Sequence, residues 1–496
     1  MEAGPVLLMD FSKNEVAVTT QLDCSTGSIA GFEEESLKVF LGIPYAKSPV
    51  KELRWEAPQR KEWNKVLPCK KFAGHHVSSV EDCLYLNIWT PAAKRGDKLP
   101  VLVWFEEESF SVNSKKKSNL NAAEFASRNR LVVVTVASRQ GIFGFFNGSP
   151  LRKKAGAPAK NVCNFSMLDK IAALNWLHQN LTLFGGDAAN LTISGYSAGA
   201  TAVIGLLQDK RAQQLFSKAV CQNPQPGYLK NHSGDYEFIS LAKAAENAEK
   251  LASQLAAADI GALKEQPPEL ILQCAKSLKS QNCRFLPVFD NKSFAADWRN
   301  PHSVKSVPLL IGFDSNNKTA EQITLQDYFM WCYSVFGDNG RKVLKAYPAK
   351  EQRAANRQYK RVASIAFYAE PVYFMAEKIS GNGAEVYYYN FNKLTPSDQQ
   401  ADLFVSCEVG YVFGQLPAAA AENTADIELS SLMMHLWSNF IKSGNPNIPD
   451  IGRNNLFWPS FRSAKTKAFV FGQRSSFRKN PYLDSTQFFK KIAAPE

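Results

Sequence analysis

Short apolar runs rich in β-branched and aromatic residues recur at 38–43, 86–90, 101–105, 131–136, 191–194, 308–312, 385–391 and 468–471. Each has the length of a strand. Between several of them the apolar spacing changes to about 3.6. In "MLDKIAALNWLHQ", 167–179, Leu168, Ile171, Ala172 and Trp176 fall on one helical face. Strands alternating with helices predict an α/β fold, a large and mostly parallel sheet covered on both faces. The stretch 240–280 is rich in Ala, Lys, Glu and Leu and predicts further helices over the sheet. No repeat, low-complexity tract or linker divides the chain, so residues 1–496 read as a single domain.

Composition changes this picture little. Hydrophobic residues make up 45% and charged residues 21% of 496, which suits a globular chain with a sizeable core. No apolar stretch reaches the ~18 residues of a membrane span, and the opening "MEAGPVLLMDFSKNEV" lacks the form of a signal peptide. The net charge of +12 favours an acidic partner, with Lys115–Lys117 and Arg152–Lys154 as candidate patches. No Cys/His finger, RNP-like motif or long basic helix points to nucleic acid. No spacing suggests a metal or a cofactor.

The sharpest local signal is "LTISGYSAGATAVIGLL", 191–207. A β run meets Gly195-Tyr196-Ser197-Ala198-Gly199 and then an apolar helical stretch. This is a G-x-S-x-G elbow, whose glycines permit a turn tight enough to lift a serine hydroxyl above the sheet. Together with "FLGIPYAKSP" (40–49), "EDCLYLNIWTP" (81–91), "RQGIFGFF" (139–146), "LWSNFIKSGNPN" (436–447) and "FWPSF" (457–461), it resembles the carboxylesterase/cholinesterase-like α/β-hydrolases over nearly the whole chain. The resemblance implies the α/β-hydrolase fold.

Ester hydrolysis on that scaffold uses a serine, a histidine base, an orienting carboxylate and backbone N–H donors for the oxyanion. Ser197 fills the nucleophile position, and the Ala198 N–H remains as one donor. Laid on the family pattern, however, Glu106 replaces a histidine, and Glu107, Glu108 and Ser109 replace the three glycines of the oxyanion turn. Asn317 stands at the acid position and Val405 at the base position, and no histidine occurs between 303 and 434. Glycine lets a backbone approach substrate closely, and a carboxylate facing a developing oxyanion has the wrong sign. The expectation from these substitutions is an enzyme homologue that has lost catalysis.

The resemblance then points to the non-catalytic, neurotactin-like adhesion branch of the family. It implies an ectodomain at the plasma membrane's extracellular face, with its anchor outside this chain. The expected partner is an extracellular adhesion protein of the immunoglobulin type, and "IELSSLMMHLWSNFIKS" offers a homodimer helix. Two alternatives stand beside it: an active carboxylesterase with an unconventional site, drawing on His75 or His76, and a carrier domain of a larger precursor. The family pattern pairs Cys69 with Cys83, and Cys274 with Cys283. Sequons at Asn164, Asn180, Asn190, Asn231, Asn291 and Asn317 are candidate glycosylation sites.

Overall fold

The structure is a computed structural model that describes residues 19–34, 36–73, 81–92, 94–106, 120–156, 162–225, 238–295, 304–315, 323–393, 408–447 and 456–492. All eight predicted strands form. They are β3 (Leu37–Pro44), β5 (Tyr85–Thr90), β6 (Leu99–Phe105), β7 (Val132–Val136), β8 (Gly186–Tyr196), β12 (Leu309–Asp314), β13 (Val386–Phe391) and β14 (Lys467–Phe471). Around them lie β1 (Thr19–Cys24), β2 (Gly27–Glu34), β4 (Leu67–Pro68), β9 (Lys218–Gln222) and β15 (Ser476–Lys479), with a small separate pair, β10 (Ile239–Ser240) and β11 (Val288–Phe289).

The large sheet runs β1-β2-β3-β5-β7-β6-β8-β9-β12-β13-β14-β15, with β4 beside β2. From β7 to β14 neighbours are parallel, whereas β1, β2, β3, β5 and β7 pair antiparallel, as do β14 and β15. Parallel strands need crossovers, which carry helices across both faces. Successive side chains of β6 therefore enter different cores. Val101, Val103 and Phe105 pack on one face, and Leu102 and Trp104 on the other.

The predicted helix 167–179 is α1 (Phe165–Asn180). It buries Met167, Ile171, Leu174 and Trp176 against the first face, and Asp169 and Lys170 with them. The 240–280 stretch supplies α3 (Leu241–Gln254) and α4 (Pro268–Ser277), after α2 (Ala198–Gln208) of the elbow. Beyond β12 come α5 (Leu325–Phe336), α6 (Gly340–Ala346), α7 (Gln352–Ser364) and α8 (Glu370–Gly381). Beyond β13 come α9 (Glu408–Phe413), α10 (Thr424–Ser443) and α11 (Leu483–Ile492). The apolar face of α10, including Met433, Trp437 and Phe440, is spent on the second core.

The structure places several of the expected site residues. Cys69, Cys83, Cys274 and Cys283 are all buried thiols. The Cys69 backbone is fixed in a ladder, its N–H donating to the Ala30 carbonyl at 2.7 Å, and its neighbouring thiol is Cys24. Cys83 is instead buried beside Asp169 and Arg139. The Cys283 thiol donates to the Asn247 carbonyl at 3.8 Å. Asn164 and Asn180 cannot serve as glycan acceptors in the folded chain, because the amide nitrogen of each is buried and already donating. Asn164 Nδ2 bonds the Val288 carbonyl at 2.8 Å, and Asn180 Nδ2 the Trp176 carbonyl at 2.8 Å. Asn190 is half-buried and Asn291 exposed; Asn231 and Asn317 lie outside the described residues.

Candidate active site

The elbow is built by backbone necessity. Ser197 stands between β8 and α2 with φ 53° and ψ −115°, a region that L-residues adopt only under constraint. Three hydrogen bonds supply that constraint. Ser197 N–H donates to the Gln222 carbonyl at 2.9 Å, and both the N–H and the hydroxyl of Thr201 donate to the Ser197 carbonyl at 3.0 Å. Gly195 has no substitute: a Cβ there would lie 2.5 Å from the Gly199 carbonyl carbon. The turn thus leaves Ser197 part-exposed above a wholly buried Ala198 at the start of α2. An N–H at a helix start is an oxyanion donor.

Strand register brings the acidic turn alongside. Phe105 of β6 pairs with Gly195 of β8, and the next residue, Glu106, donates its N–H to the Val136 carbonyl at 3.1 Å. Carboxyl oxygen Oε1 of Glu106 is sealed from solvent. Glu107, Glu108 and Ser109 lie outside the described residues, as do Asn317 and Val405.

Beneath this end of β6 the chain buries a cation that sequence reasoning did not single out. Lys170 is 0% exposed. Its ammonium donates to Ser138 Oγ at 2.8 Å and Ser166 Oγ at 2.9 Å, and sits 5.8 Å from the centre of the Phe105 ring. Next to it, Arg139 and Asp169 form a fully buried bidentate pair at 2.6 and 2.8 Å. Nothing in "MLDKIAALNW" separates Asp169 and Lys170 from solvated helix charges.

On the opposite face, the ends of β9, β12 and β13 gather a different set. Asn223 N–H donates to the Gly312 carbonyl at 2.8 Å, and its side-chain oxygen accepts from Asp314 N–H at 3.2 Å. Asp314, 7% exposed, closes β12. Glu408, the first residue of α9, is 0% exposed and accepts from the Tyr389 hydroxyl at 3.0 Å. It lies near Gln222, whose side-chain oxygen accepts from Trp437 Nε1 at 3.3 Å. Burial, reinforced by the like charge of Asp314, pushes the Glu408 carboxyl up to about 8. Tyr389 is raised well above the usual phenol range by its own burial and by Glu408.

Of the histidines, His178 bonds the Leu215 carbonyl at 2.9 Å and His435 is exposed on α10. His75, His76, His232 and His302 lie outside the described residues. Among the described residues no group of three or more His, Cys, Asp and Glu could hold a metal ion, and no helix is long and apolar enough to cross a membrane.

The comparisons with known proteins agree with the fold and overturn the functional expectation. The model of the carboxylesterase family matches residues 16–489. Para-nitrobenzyl esterase of Bacillus subtilis (strain 168) is 26% identical, over 95% of this chain and 97% of its own length. Human carboxylesterase 5A is 29% identical, over 86% of this chain and 80% of its own. A crystal structure of a Geobacillus stearothermophilus carboxylesterase superposes with TM-score 0.79 at 26% identity, covering 96% of this chain and 100% of the other. These relatives are named for ester hydrolysis. The expectations of a non-catalytic homologue and of a neurotactin-like adhesion ectodomain are therefore corrected.

Proposed function

This chain belongs to the carboxylesterase family, and on that premise we propose that it hydrolyses carboxylic esters with Ser197 as the nucleophile. The observation that carries the reading is the Ser197 backbone, held at φ 53° between β8 and α2. A strained turn is retained where it presents a reactive group.

In this reading the Ser197 oxygen bonds to the ester carbonyl carbon, and the Ala198 N–H faces the oxyanion that forms. The hydroxyl proton passes to a carboxylate. We assign that role to Glu408, the buried carboxyl that accepts from Tyr389 and lies near Gln222, whose strand position pairs with Tyr196 of the elbow. Gln222 links the two: its carbonyl receives the Ser197 N–H, and its side chain lies near Glu408. Collapse of the intermediate breaks the ester C–O bond, and the alcohol leaves with the proton. Water then repeats the sequence on the acyl-serine and releases the acid.

The test combines p-nitrophenyl ester turnover with labelling by an organophosphate. The expected result is turnover together with one covalent adduct on Ser197, both abolished by Ser197→Ala. A folded protein with neither turnover nor adduct overturns the reading.

A further inference from the structure

Of the two basic runs of the sequence, Lys115–Lys117 lies outside the described residues, and two of the three cations in Arg152–Lys154 are paired. Arg152 is committed to Glu56 at 2.8 Å, and Lys154 to Glu249 at 3.6 Å. One concentration of unpaired charge lies on α6, α7 and the turn between them; another lies in 462–479. Between 325 and 361 the chain has eight Lys and Arg against three Asp and Glu, a net five of its twelve positive charges. All eight cations are exposed, and none forms an ion pair among the described residues. On α7, Arg353, Arg357 and Lys360 recur at the three- and four-residue spacing that aligns them along one side of the helix.

The same unit displays apolar side chains to water. Helix α5 buries Tyr328, Trp331, Cys332, Val335 and Phe336, yet exposes Phe329 by 39%, Met330 by 65% and Tyr333 by 49%. Seven large hydrophobics are exposed among the described residues, and three of them fall within these five positions. Scattered exposed apolar residues need no explanation, but a cluster does. The helices form one packed layer: Trp331 of α5 meets Tyr359 of α7 edge-on at 4.8 Å.

We propose that the face formed by α5, α6 and α7 docks on an anionic lipid surface. Interfacial binding combines shallow insertion of an apolar turn with attraction of Lys and Arg to acidic headgroups. Met330, Phe329 and Tyr333 are suited to the first, and the α6 and α7 cations to the second. A soluble polyanion such as a sulphated polysaccharide would use the cations and leave the α5 turn without a role. Lipid is thus the partner that accounts for both halves of the face. The proposal does not depend on Ser197 chemistry.

Co-sedimentation of the full chain with phosphatidylcholine vesicles, with and without about three parts in ten phosphatidylserine, tests it. The expected result is binding that needs phosphatidylserine and weakens as salt shortens the screening length. Arg353→Glu/Arg357→Glu/Lys360→Glu lowers vesicle binding by roughly tenfold or more. Met330→Ser/Tyr333→Ser also lowers vesicle binding by roughly tenfold, while elution from a heparin column stays unchanged. All these positions are exposed, so thermal melting and ester turnover report on intact folding. A wild-type protein that does not pellet with phosphatidylserine vesicles overturns the proposal. So does a Met330→Ser/Tyr333→Ser variant that binds them normally, because the face would then be a general polyanion site.

Discussion

Asp169 and Glu408 are both acids buried completely at the strand ends around Ser197, one on each face of the sheet, and they meet opposite surroundings. Asp169 faces a guanidinium, bonded twice by Arg139. Glu408 faces a phenol, an amide and a second carboxyl, Asp314. A buried acid with a matched cation is committed to its charge and to structure. One without a cation is raised toward neutrality and becomes able to exchange a proton near physiological pH. Placement alone, then, does not separate a structural acid from a proton-handling one. The partner does.

Removing the cation's partner gives the largest effect. Asp169→Asn leaves Arg139 buried without a counter-charge, and loss of one member of such a pair costs about 3–5 kcal/mol. Urea unfolding measures this. A loss under about 1 kcal/mol, the range of an exposed ion pair, would sink the structural assignment of Asp169.

Glu408→Gln makes the opposite prediction, because amide and neutral carboxyl are nearly isosteric. Turnover should fall about a hundredfold with little loss of stability at acidic pH. The sign of the pH dependence follows from the raised titration. Between the ordinary value of 4.5 and about 8, the folded chain holds a proton that the unfolded chain releases. Stability from this group is therefore full below 4.5 and is lost as pH rises through about 8. Activity that needs the carboxylate rises over the same interval. Glu408→Gln should flatten both profiles, and a variant with wild-type profiles would remove Glu408 from the mechanism.

This contrast also marks what the sequence could and could not disclose. The sheet was legible because its strands are apolar runs, and the elbow because Gly195 and Gly199 are demanded by a single turn. β1 and β2 were missed: "TTQLDC" and "GSIAGFEE" mix polar residues into the edge strand and its neighbour, so no continuous run betrays them. Lys170 and Glu408 were hidden for another reason. Each is a charged residue whose burial depends on groups far off in the chain, Ser138 for one and Tyr389 for the other, so no local pattern distinguishes it from a solvated side chain.

A smaller effect is expected at the hydroxyls that hold the cation. Ser166→Ala leaves Lys170 one hydroxyl, Ser138, and removes a hydrogen bond to a charged group, worth about 1.5–3 kcal/mol. The companion Ser138→Ala should cost a similar amount. If neither moves the urea midpoint, the hydroxyls are not what holds the ammonium under Phe105.

The smallest expected effect is none at all, and it bears on the same floor. Cys83 packs beside Asp169 and Arg139 while Cys69 is held in the β2–β4 ladder beside Cys24. A bridge between Cys69 and Cys83 would close a short loop, and reducing it would remove about 3 kcal/mol. With both present as buried thiols, a reducing agent should leave the unfolding midpoint where it was. Burial raises both thiols far above the range in which thiolate forms at neutral pH, so alkylation in the native state should be slow and should become fast only on unfolding. A midpoint that drops on reduction would show a Cys69–Cys83 bridge, and would mean that this corner is held by a covalent link as well as by the Arg139–Asp169 pair.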